Sequence, residues 1–218
     1  MAATAAHGRR CERRSRRAQR AQGFVEFSLV LPVFLLSLFS LVNAGFLLYC
    51  INAVDQSATV GANYIAAAGN APTADITGVQ KMAAAGLGTT ALINVTEIDV
   101  ELLVDDSTNG GFKTNSDGSP QVATSCGGSC IDKYTFTSAG GGNYNVQVYN
   151  TSSPCSSASQ CPPWMPENRA VKANTTDPDG PGPSFVALVI KYTYSFMGAP
   201  AGSISFTATK TFRLEPQS

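Results

Sequence analysis

Histidine is nearly absent from this 218-residue sequence: His7 is the only one, and nothing after it carries an imidazole. A Ser-His-Asp or Cys-His pair therefore cannot be built beyond the first residues, and neither can a His-ligated metal site. Phosphate-binding glycine motifs of the G-x-x-x-x-G-K-S/T or G-x-G-x-x-G type are missing too, so no nucleotide site is indicated. Asp105-Asp106 and Asp177-Pro-Asp-Gly180 lack the D-x-D-x-D-G spacing of a calcium loop and read as turn chemistry. The expectation is a protein that is not an enzyme and has no cofactor and no metal.

Charge is scarce at 14% of residues, and its zero sum hides a polarised chain. Residues 1 to 20 hold seven arginines against one acid, a net of +6, whereas residues 27 to 218 carry a net of −5. Such asymmetry points to a membrane or to nucleic acid. No nucleic-acid-binding fold or aromatic platform accompanies the arginines, so nucleic acid is not expected as a partner.

From Phe24 to Ile51 the chain runs 28 residues with Glu26 as its one charge. As a helix this is about 42 Å long, more than the ~20 residues that span hydrocarbon. It also exceeds the apolar core of an ordinary signal peptide. The arginines lie only on its N-terminal side, which predicts a cytoplasmic N-terminus and an extracytoplasmic remainder.

The helical pattern continues through "NAVDQSATVGANYIAAAGN" and stops at Gly69-Asn70 before Pro72. "TADITGVQKMAAAGL" reads as a second short helix with Thr73 or Asp75 as its cap. Then the period changes to two. "NVTEIDVELLVDD", "NYNVQVYN", "SFVALVIKYTYSF" and "SISFTATKTFRLE" alternate apolar with polar residues, as half-buried strands do. Asp99 and Glu101 fall on the outward face of the first. The stretches 105 to 130 and 150 to 183 are rich in Gly, Ser, Pro and Asn and read as long surface loops.

The predicted class is α+β: a long N-terminal transmembrane helix running into an antiparallel sheet packed on helix. The predicted organisation is a basic cytoplasmic leader (1–21), a transmembrane helix (22–51), an extracytoplasmic helical region (52–90) and a β domain (91–218). Four cysteines, Cys126, Cys130, Cys155 and Cys161, cluster in that β domain and are candidates for disulfides. Sequence proximity favours Cys126–Cys130 and Cys155–Cys161, with the crossed pairings open. Their spacing is loose for a zinc site. Asn94, Asn150 and Asn174 begin glycosylation-type triplets, which a chain rich in Ser, Thr and Asn produces by chance.

"RAQGFVEFSLVLPVFLL" resembles the leader and first helix of TadE-like proteins, minor pseudopilins of the tight-adherence (Flp) pilus system. Their pattern is a basic leader, a small residue at the cleavage site, four residues, Glu-Phe, and an apolar run with Leu-Pro. Here Ala21 holds the cleavage position, Gln22 becomes the first residue, Glu26-Phe27 are fifth and sixth, and Leu31-Pro32 follows. The family's Gly-Ala-Arg-Tyr-Ala-Ala stretch is matched by Gly61-Ala62-Asn63-Tyr64-Ile65-Ala66. Ala21 and Asn63 depart from the family's usual Gly and Arg.

The resemblance implies cutting after Ala21 by a prepilin peptidase, and pairing of Glu26 with the freed amine of a neighbouring subunit. It implies a helix kink at Pro32, and as partners other pilin or pseudopilin subunits, the assembly platform and the membrane. Two other readings compete. One is a secreted protein released after Ala44, the end of a passable small-x-small site. The other is an uncleaved single-pass surface protein whose disulfide loops bind a ligand.

Overall fold

The computed structural model describes residues 5–87, 92–106, 110–124, 130–140, 143–150, 153–154, 169, 184–197 and 202–215; side chains are described among these outside 5–22, 136–150 and 153–154. The chain forms two units, Met1–Phe46 and Leu47–Ser218. Helix α1, Ala5–Ala68, contributes to both and carries Pro32 inside it. Its end is where the sequence places it. Gly69 takes a φ of 59°, a conformation costly for any residue with a Cβ, and its N–H donates to the Ile65 carbonyl at 3.0 Å.

In the second unit, Cys50, Val54, Ala58, Ala62 and Ile65 are buried, recurring every three to four residues as one helix face must. This face lies on an antiparallel sheet, together with helix α2, Ala74–Met82. Among the described residues the sheet has six strands. They are β1 Ile93–Leu102, β4 Ile131–Gly140, β5 Asn143–Asn150, β6 Ser153–Pro154, β7 Phe185–Ser195 and β8 Ser203–Arg213, in the order β6-β5-β4-β1-β7-β8. The fold is α+β, preceded along the chain by the long apolar helix, as expected.

β7 is the centre of the core. Val186, Leu188, Ile190, Tyr192 and Tyr194 all face the helices and are buried. β8 pairs along its whole length, Phe185 with Arg213 through Ser195 with Ser203. It puts Phe206, Ala208 and Phe212 against the core and leaves its Ser and Thr residues exposed. Lys210 on the inner face is held 2.6 Å from Asp55 of α1. After β8, the Glu215 N–H donates to the Ala66 carbonyl at 2.9 Å, tying the strand's end to the end of α1.

β4 lies in a stretch to which the sequence assigned no element, and three expectations need correction. Part of the first predicted loop is ordered: β2 (Asp105–Asp106) pairs with β3 (Gly111–Phe112), and Leu103 and Thr114 bridge to Val122 and Pro120. Thr73 sits at the N-cap of α2 but its side chain makes no capping hydrogen bond, and Asp75 turns inward instead. Asp99 is 1% exposed rather than solvated, because Lys191 Nζ reaches its Oδ2 at 2.8 Å. The same ammonium, hydrogen-bonded to Glu97, holds that carboxyl at about 2.

α1 and α2 cross where both have glycine. A Cβ on Gly61 would lie 2.2 Å from Met82 Sδ and 3.4 Å from Leu188 Cδ2; one on Gly78 would lie 2.6 Å from Ile65 Cγ1. Gly61→Ala is therefore expected to lower stability by about 1–3 kcal/mol, the usual cost of overpacking. Asn63, two residues on, is exposed, and Asn63→Arg is expected to stay within ~0.5 kcal/mol. Urea unfolding followed by circular dichroism checks both.

Candidate functional site

The apolar part of α1 is made of residues that packing elsewhere would bury. From Gly23 to Phe46 every side chain but Asn43 is exposed, with Phe24, Leu29 and Leu41 each at 71%. A patch this long is not a normal water-facing surface. Gly23–Ala68 is the one helix among the described residues long and apolar enough to cross a membrane.

The polar side chains in this segment turn back onto the helix itself. Ser28 Oγ donates to the Val25 carbonyl at 2.9 Å, Ser37 Oγ to Phe34 at 2.8 Å and Ser40 Oγ to Leu36 at 2.8 Å. Asn43 Nδ2 donates to the Phe39 carbonyl at 3.0 Å. This is the satisfaction that hydrocarbon demands, since it offers no partner of its own. Pro32 has no N–H to give the Ser28 carbonyl, so the helix loses one rung there.

Glu26 is the one charge in this segment and stands on its exposed surface, next to Phe27 at 61% exposure. Ala21 and Gln22 belong to α1, and their side chains lie outside the described residues. Helix geometry sets Gln22 and Glu26 four residues apart, on the same face one turn from each other. Cys126, Cys155 and Cys161 lie outside the described residues, and Cys130 is buried just before β4. Among the described residues no group of three His, Cys, Asp or Glu is placed to hold a metal ion.

A second polar constellation went unread in the sequence. Arg169, 3% exposed, comes from the stretch expected to be surface loop and lies at the junction of α2 and β4. Its Nη1 donates to Asp75 Oδ1 at 2.6 Å, and its Nη2 to Asp75 Oδ2 and, at 3.2 Å, to Asp132 Oδ2. The Tyr134 hydroxyl donates to Asp75 Oδ2 at 2.6 Å. Burial, joined by the neighbouring Asp75 and Asp132 charges, keeps the Tyr134 phenol protonated. The inward position of Asp132 and Tyr134 on β4, beside Val100 and Ile98 of β1, was the missing signal; finding it needs β4 itself.

Comparison with known proteins adds one finding. Residues 21–63 match the family model described as TadE-like protein. No curated protein and no solved structure matches the chain.

Proposed function

We propose that this chain, a TadE-like protein by its residues 21–63, is a non-catalytic, minor pseudopilin-like subunit in the assembly of a tight-adherence (Flp) pilus. Membership of the family suggests a role in that pilus system. The finer reading rests on one observation: the matched segment begins with an apolar stretch of helix, residues 23–46, exposed at every side chain but Asn43 and with Glu26 as its one acid.

In this reading residues 1–21 stay in the cytoplasm, the apolar part of α1 spans the membrane, and the α+β domain is extracytoplasmic. A prepilin peptidase cuts between Ala21 and Gln22, removes the arginines and leaves an α-ammonium on Gln22. Alanine at the cleavage position keeps the small side chain that a peptidase cleft at the membrane face needs. Glu26 then pairs with the Gln22 amine of a neighbouring subunit. In a low-dielectric setting that attraction is strong enough to fix the stagger between helices, although desolvation offsets part of it. The missing rung at Pro32 lets the helix adapt while neighbours pack. The four clustered cysteines close loops in an oxidising compartment.

The test is the N-terminus of the protein recovered from membranes, read by terminal peptide mass spectrometry. A start at Gln22 is the expected result. A start at Gly45 indicates release after Ala44 and overturns the pilin reading. An intact leader leaves a single-pass anchor.

A further inference from the structure

The Asp75–Arg169–Asp132–Tyr134 cluster does not balance as drawn. Two carboxylates share one guanidinium, and all four residues are at most 3% exposed. With both acids ionised the cluster holds a net negative charge away from water, which is costly unless a further charge cancels it. The hydrogen bonds say which acid is the odd one. Asp75 takes both outer guanidinium nitrogens and the Tyr134 hydroxyl, whereas Asp132 takes a single longer bond on Oδ2. Asp132 Oδ1 is buried and makes no hydrogen bond with any described residue.

Among the described residues, the other groups around Asp132 supply no second cation. Its neighbour across β1 is Val100; α2 offers Asp75, and β4 itself offers Tyr134. Lys133 and Glu101 fall on the opposite face of the sheet, and the adjacent turn Ala83–Leu87 carries no charge. With the described groups alone, a proton on Oδ1 neutralises the site, and it leaves Oδ2 free to accept from Arg169.

We propose that this cluster is a proton-operated latch: one proton on Asp132 completes the charge balance that holds α2 on the sheet, and losing it loosens α2. α2 is only nine residues long, and Asp75 in its first turn is its polar tie to β4. When α2 lifts, Asp75 leaves with it and Asp132 meets water. Burial, with the Asp75 charge adding to it and Arg169 opposing it, pushes the Asp132 carboxyl up to about 7, against ~3.9 when solvated. The closed form thus binds one more proton than the open form between those values. The latch is firmest below about pH 4, weakens as pH rises, and is fully weakened above about 7.

The experiment uses the full chain in detergent micelles. Hydrogen–deuterium exchange of residues 74–82, corrected for intrinsic exchange, gives the opening equilibrium of α2 from pH 4.5 to 8.5. Within the window one proton makes opening about tenfold easier per pH unit. Asp132→Asn, which mimics the protonated acid, is expected to lower that slope by about tenfold per unit and to stay protected at pH 8. Asp75→Asn removes the excess negative charge and is expected to lose the same pH dependence. Infrared difference spectra of the wild type between pH 5.5 and 8.5 are expected to show a buried carboxylic-acid band absent from Asp132→Asn. Equal slopes in wild type and Asp132→Asn, or no such band in the wild type, overturn the latch. The infrared band decides the matter even if the variants fold poorly.

Discussion

Glu26→Ala is expected to insert as well as the wild type and to abolish assembly with other pilus subunits. Insertion depends on the apolar length and on the leader arginines, and removing an acid from the edge of the span makes it more apolar. Assembly depends on something else. In the proposed reading the cut subunit carries one ammonium at Gln22 and one carboxylate at Glu26, in a segment where Ser28, Ser37, Ser40 and Asn43 already bond to their own helix. An ammonium without its acid in such a setting is the costly state, about 3–5 kcal/mol for a broken buried pair. That corresponds to roughly two to four orders of magnitude in association. Glu26→Gln, which keeps the shape but not the charge, is expected to fail as well. Co-purification with the other pilus subunits and counts of surface pili give the readout. Normal pili in either variant would remove the amine-pairing role while leaving the match of residues 21–63 to the TadE-like family model intact.

The part of the molecule that was legible in the sequence is the part governed by local pattern. An apolar run of 28 residues and a Gly-Asn-Ala-Pro stop need no tertiary context to be read as a long helix ending at Ala68. β8 alternates because one face lies on the core and one away from it: Phe206, Ala208 and Phe212 are found on the inner side, whereas Ile204, expected there too, is 43% exposed; β7 turns Val186, Leu188, Ile190, Tyr192 and Tyr194 inward, although Ala187 and Val189 interrupt its alternation. What escaped is where a polar residue occupies an inward position. β4 begins Ile131-Asp132-Lys133-Tyr134, so its buried face opens with an acid and its outward face with an isoleucine, and the period is masked. That acid is tolerable only because Arg169 arrives from 37 residues away, a pairing that no local window contains. Asp75 misled for the same reason: an acid at the start of a helix has a ready local explanation, and its true partners are 59 and 94 residues distant. The site residues Ala21, Gln22 and Glu26 were read by resemblance, and their roles rest on chemistry between subunits that a single chain does not contain.

Arg169→Met is expected to be the most damaging single change in the α+β domain. Methionine fills the space of the guanidinium stem but leaves Asp75 and Asp132 buried with no cation between them among the described groups. Breaking a buried pair from one side costs about 3–5 kcal/mol, a large share of the ~5–15 kcal/mol that holds an ordinary domain together. Most of that cost is the stranded charge, so it is reversible by removing the charge. The combination of Arg169→Met with Asp75→Asn and Asp132→Asn is expected to recover most of the loss, even though it deletes every ionic contact in the cluster. Chemical denaturation of the wild type, Arg169→Met and the triple variant gives the comparison. If the neutralised combination is as unstable as Arg169→Met alone, the guanidinium matters for its packing and hydrogen-bond geometry. If it recovers, the cluster is held by charge balance, and the arginine is there because two acids are.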